Sequence, residues 1–152
     1  MFEFLKQILT GARDEKDIRI SEEKKLQIAT CALFIEIANA DFSFSDEERR
    51  EILRHMQEIF SIDHEESVEL MEMAEMKVKS SVSIYEFTQM IDQYFDHDEK
   101  FEVLKNLWRL VYADNTLDQY EDHLMKRIGN NLHFEHREIM AAKLIVKEEM
   151  GL

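Results

Sequence analysis

The scarcity of backbone breakers constrains this chain more than any other feature of its sequence. Among its 152 residues there are no prolines and only three glycines. Apolar residues recur at intervals of three and four, which is the spacing of one helix face, and the alternation typical of half-buried strands is absent. Because proline and glycine are the residues that most often interrupt a helix, so few of them favours helices joined by short turns. The sequence therefore predicts an all-α fold.

The starts of these helices are marked by a recurring capping pattern. In a capping box, a Ser, Thr or Asp is followed three residues later by a Glu, and the two side chains satisfy free amides at the helix start. The pattern occurs at Ser45/Glu48, Asp63/Glu66, Ser83/Glu86, Asp96/Glu99 and Asp118/Glu121. Ser21, which two Glu residues follow, is expected to cap another helix. The pattern predicts eight helices, near residues 2–10, 22–40, 46–59, 64–79, 84–94, 97–113, 119–130 and 135–149.

These helices are expected to form one helical bundle in residues 21–150, preceded by a short helix and a polar linker in residues 1–20. The helices at 22–40 and 97–113 are apolar on nearly all sides, which predicts that they form the centre of the fold. The N-terminal helix carries one apolar face, made by Phe2, Leu5, Ile8 and Leu9. It is expected to dock on the core, and the alternative is a membrane surface, for which more basic residues would be typical.

An internal repeat is visible where the two central helices end. Residues 40–48 read ADFSFSDEE and residues 113–121 read ADNTLDQYE, at a spacing of 73. Further on, residues 60–66 read FSIDHEE and residues 132–138 read LHFEHRE, at a spacing of 72. The pattern predicts a bundle of about seven to eight helices made of two pseudo-repeated three-helix units, joined by the helix at 84–94.

Four acidic residues recur in register across this repeat: Asp41, Glu48, Asp114 and Glu121. Each Asp falls at a helix C-terminus, where the helix dipole disfavours an anion, so its recurrence needs a reason. One explanation is local, since Asp favours Asx-turns and Glu completes a capping box. The other is a bound divalent cation such as Ca²⁺, which takes oxygen ligands and would relieve the repulsion among four carboxylates. Neither loop matches an EF-hand, so spacing alone leaves both explanations open.

At this repeated phrase the chain resembles the tellurite-resistance TerB family, over roughly residues 24–147. The family is all-helical and carries an Ala-Asp-Gly loop, with a Glu seven residues after the Asp, twice per domain. The resemblance implies an acidic cation site at Asp41, Glu48, Asp114 and Glu121, and a role in tellurite-type stress responses near membrane-linked complexes. Phe42 and Asn115 replace the usual glycines. Because Asn tolerates a left-handed backbone better than Phe, the Asp114/Glu121 half is the better candidate.

Charge and composition limit the functions that remain. A net charge of −14 and a pI near 4.8 argue against a nucleic-acid binder, and no apolar run is long enough for a transmembrane segment. Cys31 is expected to be a buried, inert thiol in a cytoplasmic protein. No zinc set, phosphate loop or nucleophile elbow is present, so we expect no enzymatic activity. The alternative to a cation-binding module is a metal-independent interaction scaffold with an acidic surface, whose partner would be a basic or membrane-associated protein.

Overall fold

The computed structural model describes residues 15–39, 45–114 and 119–152, and all its regular elements within these ranges are helical. The helices are α1 (Glu15–Ala38), α2 (Asp46–Phe60), α3 (His64–Ser80), α4 (Tyr85–Tyr94), α5 (His97–Val111), α6 (Gln119–Asn131) and α7 (His136–Glu149). A short 3₁₀ turn, Tyr112–Asp114, follows α5. The predicted all-α class is confirmed. The predicted helix at 2–10 lies outside the described residues.

The two helices predicted to form the centre do so. Helix α1 packs against α2, α3, α4, α5 and α6, and α5 packs against α1, α2, α6 and α7. Their largest fully buried side chains include Phe34 and Trp108. Helix α1 is buried on nearly all sides between residues 26 and 38, as predicted, whereas α5 keeps an exposed polar side that includes Asp98 and Glu102.

Of the five predicted capping boxes, four can be compared, and the N-terminal cap residue is as predicted at three of them. Ser45/Glu48 and Asp96/Glu99 form complete capping boxes, and the Asp63 carboxylate accepts from the Glu66 amide at 2.8 Å. The Ser83/Glu86 box is wrong. Helix α4 begins at Tyr85, and the Ser83 hydroxyl accepts a hydrogen bond from the Tyr85 amide at 3.1 Å instead. The fifth box includes Asp118, which lies outside the described residues.

The predicted start of the first long helix is also wrong. Helix α1 begins at Glu15, seven residues before the predicted start at residue 22, and Ser21 lies inside the helix rather than at its cap. Residues 15–20 contain no glycine or proline, so nothing in the sequence stops the helix from extending towards the N-terminus.

Helices α2 and α3 begin at residues 46 and 64, and α6 and α7 begin at residues 119 and 136, which follow the spacings of the repeated phrases. The spatial relation between the two repeated units stays a prediction. None of the helices in the described ranges is long and apolar enough to cross a membrane.

Candidate functional site

The four acidic residues singled out by the repeat fall at two inter-helix connections. Asp41 lies in the α1–α2 connection, outside the described residues. Glu48 lies in the first turn of α2. The backbone of Asp114 ends the 3₁₀ turn after α5, but its side chain is outside the described part, and Glu121 lies in the first turn of α6. Whether the four carboxylates converge therefore stays a prediction.

Glu48 makes the contacts of an N-terminal cap. Its Oε1 accepts from the Ser45 backbone amide at 3.2 Å and from the Ser45 hydroxyl at 3.1 Å. In return, the Ser45 hydroxyl accepts from the Glu48 amide at 3.1 Å. At this position the local explanation is confirmed, since one carboxylate oxygen closes the capping box.

Glu121, the repeat counterpart of Glu48, is placed differently. It is 6% exposed and belongs to the buried set. The other Glu residues at the third position of described helices are more accessible: Glu66 and Glu99 are exposed, and Glu48 and Glu138 are half-buried. A capping Glu does not need burial to reach its amide, and burying a carboxylate carries a desolvation penalty. The two repeated Glu residues therefore differ in exposure, and Glu121 has partners of its own.

The surroundings of this loop carry both aromatic and charged groups. Tyr112, two residues before Asp114, is buried and stacks on Trp108 with ring centroids 6.0 Å apart. Burial and the nearby negative charge of Asp122 raise the pKa of Tyr112. Because Asp122 follows Glu121, this interaction places the two ends of the α5–α6 loop near each other.

Two lysines already share the carboxylate of Asp122. Lys126 Nζ lies 3.0 Å from Oδ2, and Lys143 Nζ lies 3.6 Å from Oδ1. The same Lys143 ammonium stands 5.3 Å from the centre of the Trp108 ring. Asp122 thus forms ion pairs with lysines from α6 and α7, while its buried Oδ1 has no hydrogen-bond partner among the described residues.

In the part of the chain that the structure describes, no three His, Cys, Asp or Glu side chains are grouped closely enough to hold a metal ion. The side chains of Asp41 and Asp114 do not belong to that part, so the predicted ligand set is not tested by this finding. Cys31 is fully buried, and burial raises its pKa, which confirms that it is an inert thiol.

A separate surface feature is a groove of about 690 Å³ between α1, α3 and α4. Its lining is mainly apolar and includes Ile28 and Ala29 of α1, Met73 and Met76 of α3, and Phe87 and Met90 of α4. In the sequence, the two α3 methionines are three residues apart, which is the spacing of one helix face. Their contribution to a shared surface could therefore be predicted from the sequence. The contribution of α4 depends on tertiary packing and has no local signature.

His55 is a buried residue that the sequence pattern did not single out. Its side chain is 1% exposed on α2, and its ring stacks on Phe34 with centroids 5.7 Å apart. Burial and, to a smaller extent, the nearby Arg54 charge lower its pKa to about 4. The signal was present, since His55 shares the apolar face of α2 with Ile52 and Met56.

Comparison with known families places these features in a family context. Residues 27–144 match the family model described as tellurite resistance protein TerB. Searches among curated proteins and among solved structures find no significant match. The matched range extends from α1 into α7 and includes both repeated phrases, with Glu48 and Glu121. The chain therefore belongs to the TerB family.

Proposed function

We propose that this chain is a non-enzymatic, cytoplasmic TerB-like module that binds a divalent cation such as Ca²⁺ and acts in a tellurite-type stress response. Asp114 and Glu121 would supply the principal carboxylates, and Asp41 and Glu48 would supply the second half of the site. The role in a stress response follows from family membership alone.

The observation that carries the cation proposal is the recurrence of an Asp and a Glu in register at both repeated phrases, Asp41/Glu48 and Asp114/Glu121. Each Asp falls at the C-terminal end of a long helix, where the helix dipole disfavours an anion. A hard divalent cation takes carboxylate oxygens as ligands and would compensate this negative charge. Glu121 is also the least exposed Glu at the third position of a described helix, at 6%.

The test is the response of stability to added ion. With Ca²⁺ at a hundred times its dissociation constant, stabilisation is about 2.7 kcal/mol, which corresponds to a rise in Tm of about 5 to 10 °C for a domain of this size. We expect this rise in the wild-type chain and its loss in D114N and E121Q.

The matched control is E99Q, which alters an exposed Glu that closes the capping box of α5. E99Q should change the starting Tm little, because Gln also closes a capping box, and it should keep the increment that Ca²⁺ produces. Absence of any wild-type increment at millimolar Ca²⁺ would rule out the calcium site. An equal loss in E99Q would show that the increment reports helix capping instead of ion binding.

A second candidate function is a metal-independent interaction scaffold, and the charge of the α2–α3 hairpin favours it. Between residues 46 and 75 the chain carries eleven Asp and Glu residues against three Arg residues. Asp46, Glu47, Glu65, Glu66 and Glu72 are exposed. Such a surface attracts a basic partner through long-range electrostatics that salt screens.

The scaffold candidate is tested by a retention experiment in chelator. A partner captured at low salt should be released at high salt and should be lost in E65K/E72K, which reverses two exposed charges of the hairpin. Retention that survives the charge reversal would place the contact elsewhere. Retention that needs Ca²⁺ would instead support the first candidate.

A further inference from the structure

The last helix carries a second apolar face, which no described helix covers. Helix α7 packs against α5 and α6, and its buried side is formed by Ile139, Ala142 and Val146. On the opposite side, Leu144 is 63% exposed and Ile145 is 40% exposed. A helix at the surface of a single domain needs only one apolar face to pack on its core. A second apolar face in the same helix is typical of an interaction surface.

Four exposed residues line the middle of this outer face. They follow one another at intervals of four, three and four residues, which is the spacing of the contact line between two paired helices. We call this line the α7 seam, and its members are Arg137, Ala141, Leu144 and Glu148. The seam is about 16 Å long at the helical rise per residue. Its middle is apolar, and its two ends carry opposite charges.

The order of these residues makes the α7 seam complementary to itself. In a twofold antiparallel pair of helices, each residue of one copy faces a different residue of the other, and the contact repeats in reverse. Arg137 then faces Glu148 of the second copy, and the small Ala141 leaves room for the larger Leu144. A parallel pair would instead place Arg137 against Arg137 and Glu148 against Glu148, which like-charge repulsion disfavours. The seam therefore fits a second copy in antiparallel orientation.

The overall charge of α7 also suits a second copy of this chain. The helix carries three basic and three acidic residues, so it is neutral when His136 is uncharged, although the whole chain carries −14. The strongly acidic surface lies on the α2–α3 hairpin, where a basic partner would be attracted. Two copies can approach through α7 without bringing surplus negative charge together at the contact.

The two charged ends of the seam are available for contacts between copies. Glu148 forms no ion pair with another described residue. Arg137 Nε lies 2.7 Å from Glu135 Oε2, but the two side chains are 84% and 66% exposed. An ion pair this exposed contributes little to stability, and a guanidinium has five donors, so Arg137 can bond a second carboxylate.

We propose that two copies of this chain form an antiparallel dimer through the α7 seam, with Arg137 of each copy paired to Glu148 of the other. A contact along one 14-residue helix per subunit belongs to the small interfaces, below about 1,200 Å² in total, so the dimer exchanges with monomer. The seam shares no residue with the two acidic phrases, so dimerisation does not depend on cation binding.

Sedimentation equilibrium of the full chain, in chelator and at physiological salt, tests the dimer. Between about 1 µM and about 1 mM protein, the average mass of the wild type should rise from 18.2 kDa towards twice that value. The variant L144E places a charge in the apolar middle of the seam and should stay monomeric. Circular dichroism at the lowest concentration reports whether each variant is folded.

Charge reversal tests the antiparallel register. R137E and E148R each place like charges at both ends of the seam, and each should raise the dissociation constant of the dimer at least about tenfold. The double variant R137E/E148R restores both ion pairs in exchanged order and should recover the wild-type value. Both substitutions suit the helix dipole, so α7 should stay folded. The control R50E makes the same charge change as R137E at an exposed position of α2 and should leave the dimer intact.

Each of the other outcomes would overturn the proposal. A wild type that stays monomeric at every concentration would exclude the dimer, and its co-sedimentation with anionic phospholipid vesicles, lost in L144E, would assign the face to a membrane. A dimer that persists in L144E would place the contact on another surface. Because R137E makes the chain more acidic and E148R makes it less acidic, opposite effects of the two would assign the association to net charge. Failure of R137E/E148R to recover would contradict the antiparallel register.

Discussion

The buried imidazole of His55 makes the stability of this protein depend on pH. His55 is 1% exposed, and neither ring nitrogen has a hydrogen-bond partner among the described residues. The nearest carboxylate, Glu51, lies 3.7 Å from Nε2, beyond hydrogen-bond distance. Desolvation lowers the pKa of His55 to about 4, the charge of Arg54 acts in the same direction, and Glu51 and Glu58 oppose them weakly. The ring is therefore neutral in the folded state at pH 7.

The sign of the effect follows from proton binding in the two states. The pKa of the folded state is depressed below the unfolded value of about 6.5, so between these values the unfolded chain binds the extra proton. The contribution of His55 to the free energy of unfolding is fully present above pH 6.5. It falls by up to about 1.4 kcal/mol per pH unit as the pH drops towards 4. Between pH 7.5 and pH 5 the loss is about 2 kcal/mol, a large part of the 5 to 15 kcal/mol typical of a domain.

The assay is urea denaturation at pH 7.5 and pH 5, followed by far-ultraviolet circular dichroism. The variant H55F keeps a ring stacked on Phe34 and removes two buried nitrogens, so it should lose about 2 kcal/mol less than the wild type over this interval. The control H123F removes an exposed imidazole from α6 and should keep the wild-type pH dependence. Burial also raises the pKa of Glu36, which opposes the loss at low pH, but this effect is common to all three proteins.

Comparing the loss of unfolding free energy between pH 7.5 and pH 5 in the three proteins separates the effect of His55 from that of the other titrating groups. If wild type and H55F lost the same free energy between pH 7.5 and pH 5, the imidazole would not be the source of the acid sensitivity. If H123F also removed the loss, the pH dependence would arise from exposed histidines, and the argument from burial would fail.

Three further substitutions or treatments test the packing. G129A should destabilise the fold by about 1 to 3 kcal/mol in urea denaturation, because the new Cβ would overlap Ile139, with Cγ1 only 2.6 Å away. K100M should cost about 1 to 3 kcal/mol in the same assay, since it removes an ion pair of 2.7 Å with Asp92 and leaves a buried carbonyl, now 3.1 Å from the ammonium, without its donor. Cys31 should react with a thiol reagent only at the rate of unfolding, because its Sγ is fully buried and its pKa is raised.

The helices of this fold could be predicted from local chemistry because their signals are local. Asp63 and Asp96 start helices through bonds to amides three residues away, so a four-residue pattern contains all the required information. The central position of α1 follows from its lack of a polar face, whereas α5 keeps an exposed side with Asp98 and Glu102. The wrong prediction at Ser21 also comes from a local pattern. A Ser followed by acidic residues resembles a helix cap, and no glycine or proline nearby marks where the helix begins.

The groove and the environment of Glu121 depend on which helices pack together, and no local pattern records that choice. Phe87 and Met90 line the groove only because α4 lies against α1. His55 is an intermediate case. Its spacing from Ile52 and Met56 is that of one helix face, but only the packing of α1 against α2 shows that its nitrogens have no hydrogen-bond partner among the described residues. Sequence periodicity therefore identifies which face is buried, whereas packing decides what the buried group meets.

The two copies of the acidic phrase illustrate this distinction and indicate how an ion would bind. Glu48 closes a capping box with Ser45 and stays half-buried, whereas Glu121 is buried in the corresponding turn. The residue after the Asp also differs between the copies, Phe42 in the first and Asn115 in the second, and Asn tolerates a left-handed backbone better than Phe. The proposed ion would accordingly bind first at the Asp114/Glu121 loop. A calcium titration by calorimetry should then retain its tighter step in E48Q and lose it in E121Q, and the reverse order would contradict this assignment.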